Sequence, residues 1–312
     1  MSFSLDVKKE IIDTKVNKKC CKRAEMLAYF AFSGKILGSK DKKVMKITIE
    51  SLECAKRIEY VIKSLYGIDA QCVEHHRAKN TYYTIIIEKN EDIFKILSDL
   101  KLIEKSIDEF FTIRINNGVV SNQCCQKAFV RAAFLMCGSI IDPEKRYHLE
   151  FVTPYFYLSD DFSILLCDMG LNAKSIVRKS NYVVYFKQSD DIADVLGIVG
   201  AVKALMEFHN VRIIKDMRNN VNRIVNCETA NVAKMLSASK KQIDCINFLI
   251  KTGEFSNLSP ALKEIANLRL ENEDMSLGEL GALITPKLSR SGVNHRLCKI
   301  CDITEDLMKK QK

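Results

Sequence analysis

The stretch "KCCKRAEMLAYFAFSGKI" returns 104 residues later as "QCCQKAFVRAAFLMCGSI", and a chain built from two copies of one unit has few folds open to it. Between Cys20–Ile36 and Cys124–Ile140, seven of seventeen positions are identical: both cysteines, Ala24/Ala128, Ala28/Ala132, Phe30/Phe134, Gly34/Gly138 and Ile36/Ile140. Downstream, "YGIDA" (66–70) matches "MGLNA" (169–173), and "DIFKIL" (92–97) matches "DIADVL" (191–196) in the same order. Three ordered matches indicate a duplicated unit of about 90 residues.

Each copy reads as αββαββα, an α+β pattern. An alanine-rich helix ending at the glycine (about 22–34 and 126–138) leads into two short strands, the second at 44–50 or 146–152. Next come a helix (52–66, 158–169), the strands "DAQCVEH" and "YYTIIIE" or "NAKSIVR" and "YVVYFKQ", and a closing helix (91–101, 190–207). Their alternation suits antiparallel sheets with one covered and one open face. This order, opened twice by a helix rich in small residues, resembles the LAGLIDADG homing endonuclease fold. The resemblance implies two motif helices packed about a pseudo-twofold axis, with Ala28, Ala132, Ala133, Gly34 and Gly138 at the seam. It also implies two sheets forming a saddle over duplex DNA.

Nuclease chemistry on that fold needs a carboxylate just before the glycine of each motif helix, so that the pair can hold a divalent cation that activates water. Ser33 and Cys137 occupy those positions, and neither a hydroxyl nor a thiol suits Mg²⁺. The nearest acids, Asp41, Asp142 and Glu144, lie several residues further on. No catalytic residues, metal ligands or cofactor are therefore expected. "CKIC" (298–301) has a single CxxC whose ligands, with His295, spread around a helix, and Cys20–Cys21 and Cys124–Cys125 read as core packing.

Twelve cysteines would suit disulfides in a secreted chain, but "MSFSLDVKKEIIDTK" has no apolar signal core and no run approaches 18 apolar residues. A cytoplasmic protein with reduced thiols and no membrane segment is expected. The net charge of +9 favours a polyanionic partner. "KVNKKCCKR" (15–23) carries five basic residues without an acid, which makes Lys18, Lys19, Lys22 and Arg23 candidate saddle contacts with DNA.

Beyond about residue 210 the pattern changes. "NVRIIKDMRNNVNRIVN" reads as a basic connector, "ETANVAKMLSASKKQIDCINFLIK" as a long helix or helix pair, and three shorter helices follow. The first spans 260–270. The second opens at the capping box "SLGE" (276–279) and runs to about Ile284; the third is capped by Ser289 or Ser291 and continues toward Leu307. A tight turn, "TPKL", before a basic last helix makes a helix-turn-helix from about Met275 to Met308. On the last helix Val293, Leu297, Ile300, Thr304 and Leu307 form one stripe, which is the predicted core. Ser291, Asn294, His295 and Lys299 lie opposite, Arg290 and Arg296 flank the core stripe, and Lys287 and Ser289 precede it. These eight are the candidate DNA-binding residues: asparagine can read adenine in the major groove, and basic groups suit phosphate or guanine. No acid occurs between Leu280 and Cys301.

Taken together, "KCCKRAE" (19–25 with Lys18 before it), "DPEKRYHLEFV" (142–152), "RIVNCETAN" (223–231) and "MSLGELGALITPKLSRSGVNHRLCKI" (275–300) resemble the bacterial WhiA family. That resemblance implies two degenerate LAGLIDADG-like repeats (1–105 and 120–210) and a C-terminal helix-turn-helix domain (218–312). It further implies a nucleoid-associated binder of double-stranded DNA without nuclease activity. Family members act in cell division and chromosome segregation, and actinobacterial ones control sporulation genes with a sigma factor. A sigma factor, RNA polymerase or division proteins are thus the implied protein partners, unless the chain is mainly a scaffold for them. Cys298 departs from the family pattern, which usually has arginine there.

Overall fold

In the computed structural model, which describes residues 2–39, 42–77, 80–108 and 111–310, the chain forms two compact units, 1–215 and 216–312. Asp41, expected among the acids nearest the repeat glycines, lies outside the described residues. The N-terminus, where no element was expected, forms α1 (Phe3–Ile12), which buries Phe3, Val7 and Ile11 at the i, i+4, i+8 spacing of a helical stripe.

The repeated segments form α2 (Lys19–Ser33) and α5 (Gln123–Cys137), which pack against each other through the centre of the first unit. Ala28, Ala132, Ala133, Gly34 and Gly138 are all buried, as a close helix–helix approach requires. Each helix passes directly into a strand at its glycine. A Cβ on Gly34 or Gly138 would overlap Phe30 or Phe134, so only glycine permits the change of direction there.

The first sheet holds β1 (Gly34–Gly38), β2 (Lys43–Ile49), β3 (Gln71–Arg77) and β4 (Asn80–Ile87) in the order β1-β2-β4-β3, all antiparallel. The second holds β5 (Gly138–Ile140), β6 (Leu149–Thr153), β7 (Lys174–Arg178) and β8 (Asn181–Phe186) in the matching order β5-β6-β8-β7. Identical topology in both halves is what a duplication produces. α3 (Leu52–Tyr66) and α4 (Asn90–Asp99) cover one face of the first sheet, burying Met45, Ile47, Ile85 and Ile87. α6 (Phe156–Asp168) covers the second sheet.

Two expectations need correction. The closing helix of the second repeat, expected over 190–207, stops as α7 (Ser189–Val199), because Gly200 adopts the left-handed conformation (φ 87°) that ends a helix. The expected basic connector is not a connector: α8 runs unbroken from Val202 to Lys251, and no glycine or proline interrupts those 50 residues. Its middle is solvated on all sides, although Met217, Val221, Ile224 and Val225 fall there at i, i+4, i+7 and i+8; each of the four is more than half exposed.

At the helix pair of the first unit sits a buried carboxylate. Glu25 on α2 is fully buried and pairs with Arg57 Nη2 of α3 at 2.7 Å, with Arg131 Nη1 of α5 at 3.8 Å. Tyr29 donates its hydroxyl to Glu25 at 3.3 Å; burial, and then the charge of Glu25, push that phenol well above its usual value, so it remains a donor. Arg57 also donates to the carbonyl of Thr14 at 2.8 Å, and Arg131 to that of Val199 at 2.7 Å. One acid thus ties together both repeats and the segment that follows α1.

Candidate nucleic-acid interface

The second unit is organised around a small core to which α8 contributes Ile246 and Leu249. α9 (Pro260–Glu271) adds Leu262, Ile265 and Ala266, and α10 (Leu277–Ala282) adds Leu280. α11 (Arg290–Lys310) adds Val293, Leu297 and Ile300, which are at most 1% exposed; Thr304 is equally buried and Leu307 packs at the edge. The stripe read from periodicity is the stripe that is buried. Thr304 satisfies its hydroxyl by donating to the carbonyls of Ile300 (2.9 Å) and Cys245 (3.3 Å).

Local chemistry sets the helix starts. Ser276 and Glu279 form the expected capping box: Glu279 N donates to Ser276 Oγ at 3.3 Å, and Ser276 N donates to Glu279 Oε2 at 2.8 Å. Of the two serines considered for the last helix, Ser289 is the cap, accepting from Gly292 N at 3.2 Å. In the last turn of α9, Arg269 is buried with no acid paired to it among the described residues, and burial lowers its basicity. Its Nη1 donates to the carbonyl of Met275 at 2.7 Å, holding the loop that leads into the capping box.

Seven of the eight candidate residues are exposed: Lys287, Ser289, Arg290, Ser291, Asn294, His295 and Lys299. They gather along the first turns of α11 and the turn before it, where unpaired backbone N–H groups favour an anion. Arg296 is the exception. It points back to α9, with its Nη1 3.5 Å from the carbonyl of Ala261 and 3.9 Å from Glu264 Oε2. The arginine expected to touch phosphate is therefore held by an acid that the 280–301 window does not contain. Cys298 is exposed, on the same helix as Asn294 and His295.

In the first unit the predicted basic cluster divides. Lys22 is buried: its Nζ donates to Ser64 Oγ at 2.7 Å and Tyr60 Oη at 3.2 Å, and lies 4.8 Å from the Tyr60 ring centre. Arg23 pairs with Asp99 at 3.1 Å. Both were expected to face DNA; both are instead spent on contacts within the fold. Lys18 and Lys19 are exposed, but fourteen residues of helix, about 21 Å at 1.5 Å per residue, separate Lys19 from Ser33, where the sheet begins. On the uncovered faces of the sheets, register places Lys35 beside Lys46, and Glu150 between Ser139 and Tyr185. Glu150 accepts from Arg178 at 2.7 Å and lies 3.0 Å from His148 Nε2, so the Arg178 charge on the second sheet is paired with an acid beside it.

The two positions that would need carboxylates do not supply them. Ser33 ends α2, and Cys137 ends α5 with its thiol donating to the Ala133 carbonyl at 3.3 Å. Burial pushes the Cys137 thiol up to about 12, so it stays protonated. A groove of about 1010 Å³ beside Ser33 includes Glu50 and Glu53, but both acids come from the first repeat. Asp142 accepts from Glu144 N at 2.9 Å in a turn of its own.

The four repeat cysteines, read from the sequence as core packing, meet across the axis. Their Sγ atoms all lie within 4.8 Å of one another, and Cys20 is exposed. Nothing within either dipeptide reveals this, because each pair's partners are a hundred residues away.

Comparison with known proteins covers the whole architecture. Residues 19–103 match the WhiA N-terminal LAGLIDADG-like domain, 126–218 the WhiA LAGLIDADG-like domain, and 221–304 the WhiA C-terminal HTH domain. The chain is 43% identical over 311 residues to the probable cell division protein WhiA of Alkaliphilus metalliredigens, covering 98% of each protein. It is 40% identical over 313 residues to that of Caldicellulosiruptor saccharolyticus, covering 99% of this chain and 96% of the relative. Among solved structures, full-length DUF199/WhiA from Thermotoga maritima has a TM-score of 0.59 at 24% identity, over 98% of this chain and 99% of that one. The N-terminal LAGLIDADG domain of DUF199/WhiA gives 0.50 at 21% identity, over 64% of this chain and 90% of that one. These two structures share the fold.

Proposed function

The chain belongs to the WhiA family, and we propose that it is a DNA-binding regulator acting in cell division and chromosome segregation, without nuclease activity. One observation carries the reading: an acid-free, exposed row of Arg290, Ser291, Asn294, His295 and Lys299 on the last helix of a helix-turn-helix, backed by its own core. In the major groove, Asn294 and His295 would meet base edges while Arg290, Lys299 and Lys287 would neutralise phosphates. Double-stranded DNA at the nucleoid is then the partner, and transcription is where a sigma factor or RNA polymerase would meet it.

Two classes of variant test this. Asn294→Ala and His295→Ala are expected to cost roughly 1–3 kcal/mol on a specific site and to relax base preference there. Lys299→Ala and Arg290→Ala should weaken all sequences alike and lower the salt slope by about one unit for each phosphate that is no longer neutralised. Arg296→Ala, whose side chain is turned to Glu264, should change the slope less than Lys299→Ala. Charge reversal at Lys18 and Lys19 should leave affinity unchanged. Fluorescence anisotropy across a salt series reads all of these. The reading fails if the Asn294 and His295 variants fold and bind every sequence as the parent does.

A scaffold for division or transcription proteins is the second reading. It is favoured by Met217, Val221, Ile224 and Val225 of α8, each more than half exposed. A binding constant for DNA that is flat in salt would favour it. For the absent nuclease, the expected result is that plasmid and genomic fragments remain intact with Mg²⁺ or Mn²⁺. Metal-dependent cleavage abolished by changing Ser33 or Cys137 would overturn that.

A further inference from the structure

We propose that Cys20, Cys21, Cys124 and Cys125 form a structural zinc site that staples the N-terminal ends of the two axis helices. Three observations support it. First, the Sγ atoms of Cys20 and Cys21 are 3.9 Å apart, as are those of Cys124 and Cys125, and no pair among the four exceeds 4.8 Å. Four thiolates at about 2.3 Å from one tetrahedral zinc are about 3.8 Å from each other, so closing the site takes shifts of an ångström or less. An iron–sulfur cluster, whose thiolates bind different irons around a core of several atoms, needs its cysteines further apart than a shared single ion does.

Second, the donor set is of one kind. Among the described residues, this is the single group of three or more His, Cys, Asp or Glu side chains brought close enough to share an ion. Four thiolates exclude the hard cations and suit zinc. Third, the surroundings favour negative charge. The cysteines occupy the first turns of α2 and α5, neither of which contains an acid, and Lys18 and Lys19 adjoin them. Two helix N-termini and two lysines offset the net double negative charge of a zinc tetrathiolate.

Binding is an exchange without redox: four S–H bonds break, four Zn–S bonds form, and four protons leave. The site is distant from the Ser33 and Cys137 ends of the same helices, so its role is to fix the repeats together and not to hydrolyse anything.

The test uses the full chain purified under reducing conditions in buffers free of chelator. The expected zinc content by mass spectrometry of the metal is about one per chain, with Cys20 and Cys124 alkylated only after a chelator is added. Cobalt substitution should give the visible bands of a tetrahedral tetrathiolate. Cys20→Ser and Cys124→Ser, at the two more accessible positions, should lose the metal and melt at lower temperature while keeping the parent's secondary structure. Cys298→Ser, an exposed thiol in the other unit, should keep it. The proposal is overturned by a folded parent whose four thiols react freely after incubation with zinc. It is equally overturned by a disulfide among them under reducing conditions, by bound iron, or by zinc that survives in the Cys20→Ser/Cys124→Ser double variant.

Discussion

Replacing Glu25 with alanine is expected to destabilise the first unit by about 3–5 kcal/mol, the range for removing one partner of a buried ion pair. The substitution deletes the acid facing Arg57 at 2.7 Å and Arg131 at 3.8 Å, and leaves two largely buried guanidinium groups without an opposing charge. Burial already lowers the basicity of Arg131, with Glu25 the main opposing influence, so the cost falls on a group that cannot easily reach water. Glu25→Gln preserves an acceptor for Tyr29 and should cost less. The comparison is Asp69→Ala, which breaks a pair with Lys63 whose side chains are 68% and 79% exposed, and which should change stability by well under about 1 kcal/mol. Urea denaturation of the three variants decides the matter. Equal midpoints for the Glu25 and Asp69 changes would show that the buried carboxylate does not hold the repeats together. Since whole domains are stable by only about 5–15 kcal/mol, the expected loss is a large fraction of the total.

What could be read beforehand follows from which interactions leave a periodic trace. Val293, Leu297, Ile300 and Thr304 declare a buried stripe because their spacing alone repeats with the helix. The duplication likewise exposed both sheets, since every strand appears twice and the copies check each other. Side chains whose role depends on a distant partner left no such trace. Lys22 and Arg23 look like a free basic run until Tyr60, Ser64 and Asp99 are folded against them. Arg296 looks free until Glu264 is brought across from α9. The long helix α8 is read only in its last half from the sequence: the basic stretch before Glu228 carries an apolar spacing, Met217, Val221, Ile224 and Val225, that stays exposed, and the usable signal for continuity is the lack of any glycine or proline from 202 to 251. The cysteine cluster did have a signal. Identical dipeptides at equivalent positions of two helices that pack about a twofold axis must lie near each other wherever the axis passes.

Two glycine-to-alanine changes three residues apart on α10 should have opposite outcomes, and the contrast tests how the recognition helix is held. At Gly281 a Cβ would overlap the backbone carbonyl oxygen of Leu288 and come within 3.1 Å of Val293 Cγ2. The same residue accepts a hydrogen bond from Leu288 N at 3.0 Å, so the turn and the helix it precedes are fitted to a bare Cα. Alanine there must push the turn away from α10, and because the obstacle is backbone no rotamer change relieves it. Overpacking of this kind costs about 1–3 kcal/mol or more, and it displaces α11 from the core formed by Leu280, Val293 and Leu297. At Gly278 the nearest atom to a new Cβ is Ser276 Oγ, 3.9 Å away, so alanine fits and should stabilise the helix by a few tenths to about 1 kcal/mol. If Arg290, Asn294, His295 and Lys299 read DNA together, Gly281→Ala should lose specific binding even where residual helicity survives, because sites misplaced by an ångström no longer form paired base contacts. Gly278→Ala should bind as the parent does. Full specific affinity in a folded Gly281→Ala protein would mean that the close approach at this glycine does not position the helix, and that the exposed row on α11 is not the surface that recognises the duplex.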